Sequence, residues 1–188
     1  MTVNCANSQD ELIAACAEFD LVGFHGTSSL ACGKIEAVGF LPDKVLSATE
    51  HDQILAIATS LNIDEFWYRQ WLDMRSVTFA QDAQVAIDHT AGGHAGGQGL
   101  GSVQKTLRTI LDRGDEGHRE FARPFLERIE LIRNAPSVVY AVDLSGLSGR
   151  LVRDKEKPIY HYYWHPQAPL PALSDIDPTR LIARLRLA

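Results

Sequence analysis

Four stretches of this 188-residue sequence carry side chains whose types and spacing could do chemistry. The first is His25-Gly26-Thr27, which closes the apolar run LVGF. An imidazole near neutrality either donates or accepts a proton, so a His at the end of a buried strand is a core residue or a ligand contact. Gly26 lets a ligand approach the backbone and Thr27 sets a hydroxyl at the mouth. The second stretch is YHYYWH, where His161 and His165 are four apart and share one face of a strand. A metal site needs a third ligand, and none announces itself, so this pair reads as structural. In the third, Ser28, Ser29 and Cys32 follow His25, but no nucleophile elbow surrounds them. The fourth is AGGHAGGQGLGS, residues 91–102, which lacks the spacing of a P-loop. It does not follow a strand as a dinucleotide fingerprint would, and reads as a flexible surface loop.

These residues must be held by regular elements. Ser8 and Glu11 form a capping-box signature before LIAACAEF, which predicts a helix. DLVGFHG predicts a buried strand, and SLACGKIEAVGF a helix with Leu30, Ile35 and Val38 inward and Gly39 as its stop. Residues 49–74 keep a helical pattern, broken at Asn62 and Asp64. RSVTFAQ predicts a strand, and Asp82 caps a helix from Ala83 to Thr90. After the glycine loop come helices at Val103–Leu111 and Asp115–Arg133. SVVYAVDL and PIYHYYW then predict strands, and RLIARLRL a half-exposed one with its arginines facing solvent. The fold class is α+β, one domain over 1–188, with a helical insertion at about 48–74 between the first and second core strands.

Composition narrows the function. Apolar residues at 45% and charged residues at 22% describe an ordinary globular protein. A net charge of −6 argues against broad nucleic-acid binding, which needs a basic field. No apolar run reaches the ~18 residues of a membrane span. Three cysteines without metal spacing, and no secretion signal, predict reduced thiols and a cytoplasmic protein, or one delivered into a host cytoplasm.

FHGTSSLACGKIEAVGF resembles the first strand and helix of the ADP-ribosyltransferase superfamily, in its diphtheria-toxin and poly(ADP-ribose) polymerase branch. RSVTFAQDAQVAIDHTA is similar to the family's second strand and following helix, VVYAVDLSGL to a middle strand, and SDIDPTRLIARLRL to its closing stretch. The resemblance implies a split mixed β-sheet core and a chain that uses NAD as substrate, with no metal. It implies that His25 bonds a ribose hydroxyl, that the Gly26 backbone pairs with the nicotinamide amide, and that Thr27 assists at ribose or phosphate. Phe79 stands nearest to the usual aromatic platform, with Ser76 and Thr78 beside it.

The family also places a Glu before the closing stretch, to stabilise the cation formed as nicotinamide leaves. Here the corresponding neighbourhood holds Gln167 and Asp175, and Glu156 is the nearest upstream carboxylate. Three readings stand: Gln167 serves in an altered enzyme, Glu156 or Asp175 replaces the acid, or the pocket only binds. The resemblance thus implies transfer of ADP-ribose to a macromolecular acceptor, a protein foremost, in a toxin, effector or housekeeping setting. An antitoxin or immunity protein is then a candidate partner. The alternatives are a silent binding module on the same fold and an NAD-dependent RNA 2′-phosphotransferase. The last would draw its phosphate contacts from Arg180, Arg184 and Arg186. Trp67, Tyr68 and Trp71 are substrate-recognising aromatics or, more simply, anchors that pack helices.

Overall fold

The structure is a computed structural model and describes residues 3–41, 45–73, 76–94, 97–147, 150–163 and 175–187. It is α+β, and the chain divides into two compact units where one domain was expected. The first comprises Met1–Pro42, Arg75–Ala95 and Ala135–Ala188; the second comprises Asp43–Met74 and Gly96–Asn134. The helical part therefore takes in residues 96–134 besides the expected insertion.

The first unit is built on a mixed sheet of seven strands: β1 (Asn4–Ala6), β2 (Val22–Ser28), β3 (Ser76–Ala80), β4 (Ser137–Asp143), β5 (Leu151–Arg153), β6 (Ile159–Tyr163) and β7 (Leu181–Arg186). Their order is β1-β7-β4-β2-β3-β6-β5, with β1 parallel to β7 and every other neighbour antiparallel. Alternation along β2 and β4 sends successive side chains to opposite faces. On one face Val138, Tyr140 and Val142 pack with Phe79, Tyr162 and Ile35 of α2 (Cys32–Val38). On the other, Phe24, Val139 and Ala141 pack with Leu12 of α1 (Gln9–Ala14) and with Ala83 and Ala86 of α5 (Ala83–His89).

Local signals explain where these helices begin. The Ser8 hydroxyl accepts from the Glu11 N–H at 3.2 Å, and Asp82 Oδ1 accepts from the N–H groups of Gln84 and Val85, capping α1 and α5. Leu30, expected inward, lies in the short 3-10 turn before α2 and is 57% exposed, whereas Ile35 is buried.

The second unit comprises α3 (Ala48–Ser60), α4 (Phe66–Asp73), α6 (Gly97–Arg113) and α7 (Glu116–Asn134), around Ile54, Tyr68, Leu107 and Ile129. Helix α6 corrects the sequence expectation: the glycines from Gly97 onward lie in a helix, not a loop. A Cβ built on Gly99 would stand 1.9 Å from the Trp71 indole, so glycine here admits α4 against α6. Close packing has overridden a weak helix propensity. Of the α4 aromatics, Tyr68 is buried, Trp71 packs on that core, and Trp67 is 68% exposed. Among the described residues no helix is long and apolar enough to cross a membrane.

Candidate functional site

The sheet has one weak seam. β2 pairs with β4 at every position from Val22–Asp143 to Ser28–Ser137, but with β3 only at Phe24–Ala80. β3 in turn pairs with β6 along its whole length. One side is thus β1-β7-β4-β2, the other β3-β6-β5, and the two part immediately beyond Phe24. His25 is the next residue.

The His25 ring takes the place of the missing ladder. Its Nδ1–H donates to the Thr78 carbonyl at 2.9 Å, and its ring lies 4.8 Å from that of Phe40 and 5.7 Å from that of Phe79. A carbonyl only accepts, so the proton is on Nδ1 and the neutral ring keeps its lone pair on Nε2. Nε2 makes no hydrogen bond among the described residues. Burial lowers the His25 pKa first, and the charge of His89 on α5 adds to it, against the opposing Thr78 carbonyl. The half-buried ring is therefore neutral at pH 7, an acceptor with one open site.

The other predicted site residues divide. Gly26 follows His25 where β2 has no β3 partner, but its missing side chain is explained on the far face: a Cβ there would lie 1.6 Å from Thr90 Oγ1. Thr90 is itself buried and donates to the Ala86 carbonyl, so Gly26 seats β2 on the end of α5. Thr27, expected at a mouth, is only 6% exposed. Ser76 and Thr78 stand on the β3 edge, with Thr78 exposed. Phe79 is wholly buried between Phe40 and His25 and offers no free face for stacking.

None of the expected acids touches His25. Glu156 is exposed in the turn between β5 and β6, two strands removed from β2, where its N–H donates to Asp154 Oδ1. Asp175 accepts from the Tyr162 hydroxyl at 2.5 Å and from Arg150 at 2.8 Å. That carboxylate and the burial of the ring push the Tyr162 phenol up to about 12, burial being the larger cause. Gln167 and His165 lie outside the described residues.

His161, read from the sequence as structural, packs its ring 5.9 Å from that of Tyr163 and lies on the face of β6 turned away from the His25 ring. It stands opposite Thr78 in the β3–β6 register, and its Nδ1 lies 3.1 Å from Thr78 Oγ1. Its Nε2 is 3.5 Å from Asp154 Oδ2. Two backbone donors, the N–H of Glu156 and then that of Lys157, hold Asp154 below the usual carboxylate range, with a smaller contribution from His161. No sequence signal could have joined Thr78 to His161, since the contact spans 83 residues.

Next to His25 on β4, Tyr140 begins a different network. Its hydroxyl donates to Glu36 Oε1 at 2.7 Å, and the same oxygen takes Arg184 NH1–H. Arg184 Nε–H reaches the Cys5 thiol at 3.4 Å. Burial, then Cys32 and Glu36, carry the Tyr140 phenol well above its ordinary range. Arg180 donates to the carbonyls of Asp143 and Ser145. Two of the three arginines expected to face solvent are thus engaged in the fold. The Ser28 hydroxyl accepts from the Leu30 N–H and caps the following turn.

Among the described residues no group of three or more His, Cys, Asp or Glu could hold a metal ion. Comparison with known proteins finds no matching family model, no similar characterised protein and no similar solved structure.

Proposed function

We propose that the gap between β2 and β3 is an NAD site and that the protein transfers ADP-ribose to a macromolecular acceptor, a protein foremost, with release of nicotinamide. The single observation that carries this reading is the parting of the sheet at His25, with a neutral imidazole whose Nε2 lone pair is left open. Such a group accepts a ribose hydroxyl proton, and the backbone that follows, at Gly26, which pairs with β4 but not with β3, suits a primary amide. A parted sheet beside His-Gly-Thr is also what the family resemblance implies, so the ADP-ribosyltransferase fold belongs to this proposal.

In the reaction the bond between nicotinamide and ribose breaks, its electron pair leaves with nicotinamide, and positive charge grows on the anomeric carbon. Positioning and electrostatics carry most of such a step. A second reading, a silent binding module, is favoured by one specific feature: neither Glu156 nor Asp175 touches His25. The RNA 2′-phosphotransferase reading loses support because Arg180 and Arg184 are held inside the fold.

Calorimetric titration of NAD into the wild-type protein and His25→Ala tests the proposal. The expected result is binding near 1:1 that weakens about tenfold or more in the variant, roughly 1.4 kcal/mol. Nicotinamide release then separates the enzyme from the binder. No heat and no nicotinamide on long incubation would sink both NAD readings.

A further inference from the structure

We infer that the exposed Phe66–Trp67 corner at the start of α4 is a docking site for a basic, arginine-bearing segment of a partner protein. The inference is independent of the NAD reading, because every residue in it belongs to the second unit. Residues 66–68, Phe-Trp-Tyr, open α4, and the helix treats its three rings unequally. Tyr68 is 1% exposed in the helical core, while Phe66 and Trp67 keep 56% and 68% of their surface in water. Trp67 is the most exposed large apolar side chain among the described residues. Packing within the unit thus accounts for Tyr68 and leaves the other two rings on the surface.

Their arrangement has a definite shape. The ring centroids lie 5.2 Å apart with the planes at 77°, the edge-to-face geometry of aromatic pairs. Two exposed rings set nearly at right angles present their π-faces as the walls of a corner. Such a face attracts a cation within about 6 Å of the ring centroid, and Trp does so best.

Charge selects the same occupant. Asp64 Oδ1 accepts from the Phe66 N–H at 3.0 Å, which fixes an exposed carboxylate against the base of the aromatic pair. Asp73, also exposed, comes seven residues after Phe66 and so lies on the same helix face, two turns or ~10 Å away. Neither carboxylate has an ion-pair partner among the described residues. The only cation of α4, Arg69, donates through both Nε and NH2 to Glu65 Oε1 and is taken up there. Residues 43–74 as a whole carry six carboxylates against two Lys or Arg side chains. A purely apolar partner would strip water from Asp64 and put nothing in its place, which costs free energy. A guanidinium stacks its plane on an indole and donates its N–H groups to a carboxylate together, which a lysine ammonium does less well.

The test titrates a hexa-arginine peptide into the full chain at low salt by calorimetry, with the citrulline version of the peptide as an uncharged control. Hexa-arginine should bind saturably and shift the tryptophan emission, and the citrulline peptide should do neither. Trp67→Ala changes a side chain open to water, so it should keep the wild-type urea midpoint yet weaken binding about tenfold. Trp67→Leu keeps apolar surface without a π-face and should weaken it about fivefold, the scale of one cation–π contact. Asp64→Asn keeps an oxygen that can cap α4 and should lower affinity several-fold with the helix intact. Equal affinity in wild type and all three variants would mean diffuse attraction to a chain of net charge −6, and would overturn the inference. Failure of the wild type to bind hexa-arginine would overturn it too. Trp67→Leu binding as tightly as wild type would reveal an apolar contact in place of a cation site, against the inference. Self-association of the free protein that Trp67→Ala abolishes in sedimentation would give the corner to a second copy, and the inference would again fall.

Discussion

The two long edges of β2 are finished in opposite ways. On the β4 side the ladder is continuous, and the polar side chains beside it saturate one another: the Tyr140 hydroxyl and Arg184 both go to Glu36, and Arg184 also to Cys5. On the β3 side the ladder stops after one pair, and the polar groups keep spare capacity, in Nε2 of His25 and the exposed hydroxyl of Thr78. Buried polar groups that are fully partnered hold a fold together; groups left with an open site can meet a ligand. The same strand therefore serves as scaffold along one edge and as chemistry along the other.

The comparison breaks first where β2 is seated. Gly26→Ala would drive a methyl group into Thr90, whose Oγ1 lies 1.6 Å and Cβ 2.8 Å from the new atom. Thr90 is buried and cannot swing away freely, so the loss should be about 3 kcal/mol in urea unfolding, at the upper end of overpacking costs. Thr90→Ala added to Gly26→Ala should recover part of it. A neutral Gly26→Ala would mean that the glycine serves only a ligand.

The closed edge comes next. Arg184→Met leaves the Glu36 carboxylate half-buried beside the Tyr140 phenol, with side-chain exposures of 33% for Arg184 and 27% for Glu36. An orphaned partner of a buried ion pair costs roughly 3–5 kcal/mol, and partial solvation reduces that to about 2 kcal/mol here. Glu36→Leu in the same chain should return part of the stability, because the cost lies in the unpaired charge. If Arg184→Met is neutral, the β4 edge is held by its ladder alone.

Much of this scaffold was legible in the sequence, because caps and alternation are local. Ser8 and Asp82 announce their helices through side-chain oxygens three residues or fewer from the N–H groups they bond. The His25 strand, the long β4 run and the closing β7 follow from apolar pattern. What was missed depends on partners distant in sequence. Three-residue strands such as Asn4–Ala6 and Leu151–Arg153 are too short to carry a period, and only pairing with β7 and β6 makes them strands. Gly97 to Gly101 read as a loop because the Trp71 contact that needs Gly99 lies outside any local window. The parting of β2 from β3 cannot be read from either strand. Both are apolar enough to pair throughout, and it takes the His25 ring, wedged against Phe40 and Phe79, to stand in for the ladder.

That wedge sharpens the comparison through pH. Burial lowers the His25 pKa in the folded chain, so between that value and the unfolded one of about 6.5 the unfolded chain binds more protons. Stability must then rise with pH across this window and be complete above it, with a slope no steeper than about 1.4 kcal/mol per pH unit for one proton. Lost Nδ1 donation would be expected to lower the stability of His25→Gln at pH 7, but its slope across the window should be flatter than that of the wild type. The difference between the two proteins isolates His25, because Asp154, His161 and the closed network are present in both. Equal slopes would place the ring in water and leave the β3 edge without its surrogate rung. A flattened slope would show that folding holds the ring neutral, and a neutral ring donating through Nδ1 keeps its lone pair on Nε2, the atom on which the proposed site depends.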